Sequence, residues 1–134
     1  MAYRNDPGYY DDALSNPIPT VDKCIRALAE SRIDYDTIVV QGISGMLIGP
    51  MLAAFTGKNL LIVPKPDDTH NHRGHGPVGT IEGRWIFVDD FISTGATHNR
   101  VREEVSRYSP ESQEVAIVEY FANVSVKRLY APTS

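Results

Sequence analysis

Apolar residues fall along this chain in two rhythms, one helical stripe and several short unbroken runs. Val21, Cys24, Ile25 and Leu28 recur at i, i+3, i+4 and i+7. That spacing predicts a helix from a Thr20 cap to about Ser31, with one buried face that includes Cys24. Thr37 to Gln41, Asn59 to Val63, Trp85 to Val88 and Glu114 to Tyr120 are too short for helices and too continuously apolar for half-exposed strands. They read as strands of a sheet covered on both faces. Val124 to Tyr130 is a fifth strand or a short closing segment. Gly42-Ile43-Ser44-Gly45 reads as a tight turn after the first strand. Met46 to Phe55 is nearly all apolar, which predicts a helix covered on most sides and ended by Gly57. A further helix runs to about Tyr108, with Pro110 beyond its end. Strands alternating with helices predict an α/β fold of three layers. The sheet is mainly parallel, with four to five strands flanked by helices.

The polar stretches between these elements add two features. Residues 1–19 carry Pro7, Gly8, Pro17 and Pro19 among Tyr3, Tyr9 and Tyr10, and read as an irregular arm that covers the surface rather than forming a substrate lid. Residues 67–83 form a glycine-rich polar loop, and a loop of that length in a compact domain is usually functional or mobile. The 134 residues suit one domain, spanning 1–134. A net charge of −4 argues against a nucleic-acid partner but leaves room for a phosphorylated ligand held by local amides. The single Cys24 excludes an intramolecular disulfide and implies a reducing, cytoplasmic setting. The polar N-terminus has no signal-peptide core, and no apolar run approaches a membrane span. Without secretion, the glycosylation triplet Asn123-Val124-Ser125 carries no meaning.

Candidate chemistry concentrates in Arg84 to Arg100. The apolar strand there ends in two acids, Asp89 and Asp90. The small, hydroxyl-rich Ser93-Thr94-Gly95-Ala96-Thr97 then leads into a helix. Loop amides and a helix N-terminus attract an anion, and paired acids can hold sugar hydroxyls or a metal. In a parallel sheet the turn at Gly42 to Gly45 lies at the same edge, and Lys65 at the end of the second strand adds positive charge there. Two such turns side by side suit a ligand with two separate phosphate groups. Other readings weigh less. His70, His72 and His75 have metal-like spacing but no fourth ligand. A receiver-like phospho-acceptor site gives the hydroxyl-rich loop no role. Gly57-Lys58 lacks P-loop spacing, and Asn59 replaces its hydroxyl. His98 sits early in its helix and reads as exposed.

Phe87 to Thr97 resembles the phosphoribosyl diphosphate signature of the type I phosphoribosyltransferases. The order of the flanking elements over residues 20–120 is similar as well. The resemblance implies that Asp89 and Asp90 contact the ribose hydroxyls directly or through Mg²⁺, and that Ser93, Thr94, Gly95, Ala96 and Thr97 wrap the 5′-phosphate. It implies a diphosphate turn at Ile43, Ser44 and Gly45, with a strained and often cis peptide, and a diphosphate contact at Lys65. Arg73-Gly74-His75-Gly76 is similar to the mobile loop of orotate phosphoribosyltransferases, although Arg stands where Lys is usual and the acid after His-Gly is missing. That likeness implies catalytic roles for Arg73 and His75 and makes orotate the favoured base. The family further implies a cytoplasmic homodimer in nucleotide salvage or biosynthesis that uses phosphoribosyl diphosphate, a nucleobase and Mg²⁺. A non-catalytic phosphoribosyl diphosphate sensor on the same fold is the alternative. The base-binding hood is reduced, because only residues 1–19 and about 121–134 are left to build it, where Tyr9, Tyr10 or Tyr130 could stack on a base.

Overall fold

A computed structural model describes residues 16–65, 76–92 and 95–129. The chain order is α1 (Ile18–Glu30), β1 (Thr37–Gln41), α2 (Gly42–Thr56), β2 (Asn59–Val63), β3 (Val78–Gly79), β4 (Arg84–Asp89), α3 (Ala96–Tyr108), β5 (Gln113–Glu119) and β6 (Ser125–Arg128). Across the sheet the strands run β3-β2-β1-β4-β5-β6. The four inner strands are parallel, as their unbroken apolar runs imply. The two edges, β3 and β6, are antiparallel. Among the described residues the sheet therefore has six strands where the sequence suggests four to five. The additional one, β3, has two residues inside the stretch that reads as loop, too few to show any periodicity.

Alternation along the inner strands divides the core in two. Ile38, Val40, Ile86, Val88, Ala116 and Val118 pack with Val21, Cys24 and Leu28 of α1 and Ile48 and Leu52 of α2. Val39, Leu61, Val63, Trp85, Phe87 and Ile117 pack on the opposite face with Val101 and Val105 of α3. This is the three-layer arrangement expected.

Two helix starts differ from expectation. Helix α1 begins at Ile18, so Thr20 lies inside it and caps nothing; Pro17 is the N-cap. A proline early in a helix loses nothing by lacking an N–H that has no intrahelical acceptor. Helix α2 begins at Gly42, so the residues read as a separate turn are its own first turn. It ends at Gly57 as expected. It is less covered than its composition suggests, since Ile43, Met46 and Phe55 are exposed.

Cys24 is fully buried in the α1 face, as its position in the stripe predicts. Burial pushes its thiol up to about 12, so it carries almost no thiolate at neutral pH. The native protein should therefore react with a disulfide reagent at pH 8 at least about 100-fold more slowly than the guanidinium-unfolded chain. Equal rates in a stopped assay of both forms would contradict that burial.

Candidate functional site

The carboxyl end of β4 is built from carboxylates that hold their own turn. Asp89 ends the strand and is buried, and Asp90 follows half-buried. Asp89 Oδ1 accepts the Asp90 N–H at 2.9 Å, and Asp90 Oδ1 accepts the Phe91 N–H at 2.7 Å. Glu119 Oε2, from the end of β5, accepts the Ile92 N–H at 2.7 Å. The carbonyls of Asp89 and Asp90 accept from the amides of Tyr120 and Phe121 at 3.2 and 2.8 Å. Pairing between β4 and β5 thus continues past both strands and fixes where the acids stand.

At the end of β1 the chain turns directly into α2. Gly42 takes a φ of 71°, which favours glycine, and a Cβ there would lie 2.6 Å from Lys65 Cε. Lys65 therefore folds back over the start of α2 from the end of β2. Helix α2 has no side-chain cap and no acid in its first turn, so its N-terminal field meets no carboxylate of its own. The strained peptide expected at Ile43 to Gly45 is replaced by regular helix; the left-handed backbone lies one residue earlier, and no described peptide bond is cis. Gly45 has a packing reason to be glycine. A Cβ there would meet Val40 Cβ at 2.6 Å and Val40 Cα at 3.3 Å. A Cβ at Gly49, one turn on, would likewise meet Val40 Cγ1 at 2.7 Å.

The structure adds residues that the sequence did not single out. Arg100, one turn into α3, donates from Nη2 to Gln41 Oε1 at 2.9 Å. Gln41 is buried at the end of β1, and its Nε2 reaches the Pro64 carbonyl at 3.5 Å. One side chain thereby links the ends of β1 and β2 to α3, and it brings a second cation to the edge where Lys65 stands. The spacing of four from Ala96 was the signal available for Arg100. Phe91 and Phe121 form an edge-to-face pair with ring centroids 6.0 Å apart at an interplanar angle of 63°. They are 59% and 47% exposed beside the acids.

Asp89, Asp90, Gly42 to Gly45 and Lys65 all stand at the ends of adjacent strands. Gly95 is left-handed with a φ of 83° and opens α3, whose first residues Ala96 and Thr97 are exposed. Ser93, Thr94, Arg73, His75, His70, His72, Tyr3, Tyr9, Tyr10 and Tyr130 lie outside the described residues, and of Ser44 only the helical backbone is described. His98 corrects its expectation: it is buried against Phe87 rather than exposed. Among the described residues no group of three or more histidines, cysteines and acids forms a metal cage. Two adjacent carboxylates instead fit a magnesium ion that keeps waters and shares the oxygens of its ligand.

No protein-family model matches the chain, and no curated protein matches its sequence. Solved structures do. The adenine phosphoribosyltransferase of Thermoanaerobacter pseudethanolicus superposes with a TM-score of 0.60 at 22% identity, over 78% of this chain and 69% of that one. The orotate phosphoribosyltransferase of Aeropyrum pernix gives 0.63 at 19% identity, over 86% and 63%. The adenine phosphoribosyltransferase of Saccharomyces cerevisiae, solved with an imino-altritol bisphosphate and adenine, gives 0.58 at 23% identity, over 84% and 67%. The chain has the type I phosphoribosyltransferase fold. It spans roughly two thirds of the length of these neighbours. In open α/β sheets, ligands bind outside the carboxyl ends of the strands. Asp89, Gly42, Lys65 and Arg100 gather at that edge.

Proposed function

We propose that the protein is a phosphoribosyltransferase that moves ribose 5-phosphate from phosphoribosyl diphosphate to a nitrogenous base and releases diphosphate. The observation that carries this reading is the meeting of Asp89 and Asp90 with the start of α2 and Lys65 at one edge of a phosphoribosyltransferase fold. Asp89 and Asp90 hold the ribose hydroxyls and, through water, Mg²⁺. The metal supplies charge neutralisation on the diphosphate. Ser93, Thr94, Gly95, Ala96 and Thr97 wrap the 5′-phosphate. Ile43, Ser44, Gly45 and Lys65 face the diphosphate. As the bond from C1 to the diphosphate oxygen breaks, positive charge grows on the ribose and negative charge on the leaving group. The Lys65 ammonium and the α2 amides stabilise the latter. A base nitrogen then bonds to C1 and gives up its proton. Arg73 and His75 close the site over the diphosphate, and the protein works as a homodimer.

The exposed Phe91–Phe121 pair offers the flat apolar surface on which a base stacks, next to the acids that hold the ribose. Stacking on an aromatic side chain contributes about 1–3 kcal/mol per base. Phe121→Ala is therefore expected to raise the KM for the base about tenfold while leaving the KM for phosphoribosyl diphosphate within about twofold. An unchanged base KM would remove the pair from the site.

The deciding experiment is a panel of protein, Mg²⁺ and phosphoribosyl diphosphate with orotate, uracil, adenine, guanine, hypoxanthine or xanthine, read as diphosphate release. Orotate is the first base to test. Release that depends on a base establishes the transferase and names its substrate. Tight binding of phosphoribosyl diphosphate with no release for any base establishes the non-catalytic sensor instead.

A further inference from the structure

Helix α3, which opens with Ala96 and Thr97 of the hydroxyl-rich stretch, has a thin apolar face. Only Val101 and Val105 are buried hydrophobics on it. Its first turn is attached to the sheet by polar groups. His98 is 8% exposed and Glu114 on β5 is 5% exposed, with Nε2 of the ring 2.5 Å from Oε2 of the carboxylate. The imidazole stacks on Phe87 of β4, with centroids 5.4 Å apart and planes inclined by 18°. Arg102, one turn further along α3, brings Nε to 3.1 Å from the other oxygen, Oε1, as a charge contact without the alignment of a hydrogen bond.

Glu114 faces α3 because β5 carries an irregularity. Trp85 pairs with Glu114, but the next residue, Ile86, pairs with Ala116. One extra residue of β5 is taken up between them. In a regular strand Glu114 and Ala116 would share a face. Here Ala116 and Val115 pack toward α1 and α2, while Glu114 points the other way, to His98. Bulges of this kind commonly re-aim a side chain. A buried carboxylate is costly unless paired, so a bulge that delivers one to a histidine marks a specific use.

We propose that His98 and Glu114 are positioning residues for phosphate binding. They clamp the first turn of α3, through Phe87, to the strand that carries Asp89. Phe87 and Asp89 are two residues apart on one face of β4, so the clamp fixes the start of α3 relative to the acids. It holds Gly95 to Thr97, at the start of α3, beside the strand that carries Asp89 and Asp90, where the proposed function puts the ribose 5-phosphate. The ligand part of this inference rests on the function proposed above; the clamp itself does not.

The test is the double variant His98→Leu/Glu114→Leu, in which two apolar side chains replace the buried pair. Such replacement often preserves or raises stability. The expected result is a melting temperature at or above that of the parent together with at least about tenfold faster amide exchange at residues 99–102, the first N–H groups of α3 with intrahelical acceptors. The KM for phosphoribosyl diphosphate should rise about tenfold while kcat changes less than about threefold. Glu114→Gln keeps a contact with the ring and should stay within about twofold of the parent in exchange and KM. If the leucine pair does not fold, His98→Leu alone carries the test: Glu114 keeps Arg102 beside it, and the same rises in exchange and KM are expected. Parent-like exchange and KM in a stable leucine variant overturn the proposal, as does a tenfold loss in Glu114→Gln. A parent protein that fails to bind phosphoribosyl diphosphate refutes the proposed function, and the exchange measurement still decides the clamp.

Discussion

Asparagine at both 89 and 90 is expected to lower kcat/KM for phosphoribosyl diphosphate by at least about 100-fold, a loss of about 2.7 kcal/mol in transition-state stabilisation. The substitution is chosen for what it leaves in place. An amide oxygen can still accept the Asp90 and Phe91 N–H groups that Asp89 and Asp90 accept at 2.9 and 2.7 Å. The backbone bonds from Tyr120 and Phe121 are untouched. The turn should therefore keep its shape, with a melting temperature within about 3 °C of the parent. What disappears is two negative charges at the place where the proposed function puts ribose hydroxyls, which need strong acceptors, and a hydrated magnesium ion, which needs an anionic anchor. Diphosphate-release kinetics and calorimetry on the same preparations separate the two effects. Full retention of ligand binding and turnover by this double variant would sink the assignment.

Gly45→Ala is expected to cost about 3 kcal/mol of folding stability, near the upper end for overpacking a close contact. The added methyl would stand 2.6 Å from Val40 Cβ and 3.3 Å from Val40 Cα. Neither atom lies at the end of a flexible chain. Val40 is fully buried, and its strand is paired on both sides. The strain can be relieved only by moving α2 off the sheet, which would also pull Gly42 from under Lys65. Urea titration should show the loss as a lower midpoint at unchanged slope. A midpoint equal to the parent's would mean that the β1–α2 contact is looser than described.

The legible parts of this fold are those where one residue type repeats for one physical reason. The apolar runs of β1, β2, β4 and β5 mark strands buried on both faces, and the Val21-Cys24-Leu28 stripe marks the buried side of α1. Asp89 and Asp90 were visible because acids directly after such a run have no packing role. Illegible features depend on partners far apart in the chain. His98 looks exposed in sequence because its partner is sixteen residues away, turned toward it by a bulge that no pattern announces. Arg100 and Gln41 are fifty-nine apart, and neither is unusual alone. Phe91 reads as one more apolar residue until Phe121 is found against it. Gly45 was noticed for a ligand, and nothing in the sequence signalled its packing reason, that a Cβ there would meet Val40.

The two antiparallel edges have a consequence for how the chain behaves in a concentrated solution. Long apolar parallel strands such as Leu60-Leu61-Ile62-Val63 and Trp85-Ile86-Phe87-Val88 would template aggregation if they lay at a sheet border. Here each is flanked on both sides. The border strands are short, two residues on one side and four on the other, and β6 carries exposed Lys127 and Arg128. Charged, abbreviated borders discourage another copy from extending the sheet. Replacing exposed Lys127 by an apolar residue, while Arg128 keeps its hydrogen bond to Ser31 at the end of α1, should thus make the protein more prone to precipitate on concentration while the inner strands pack as before.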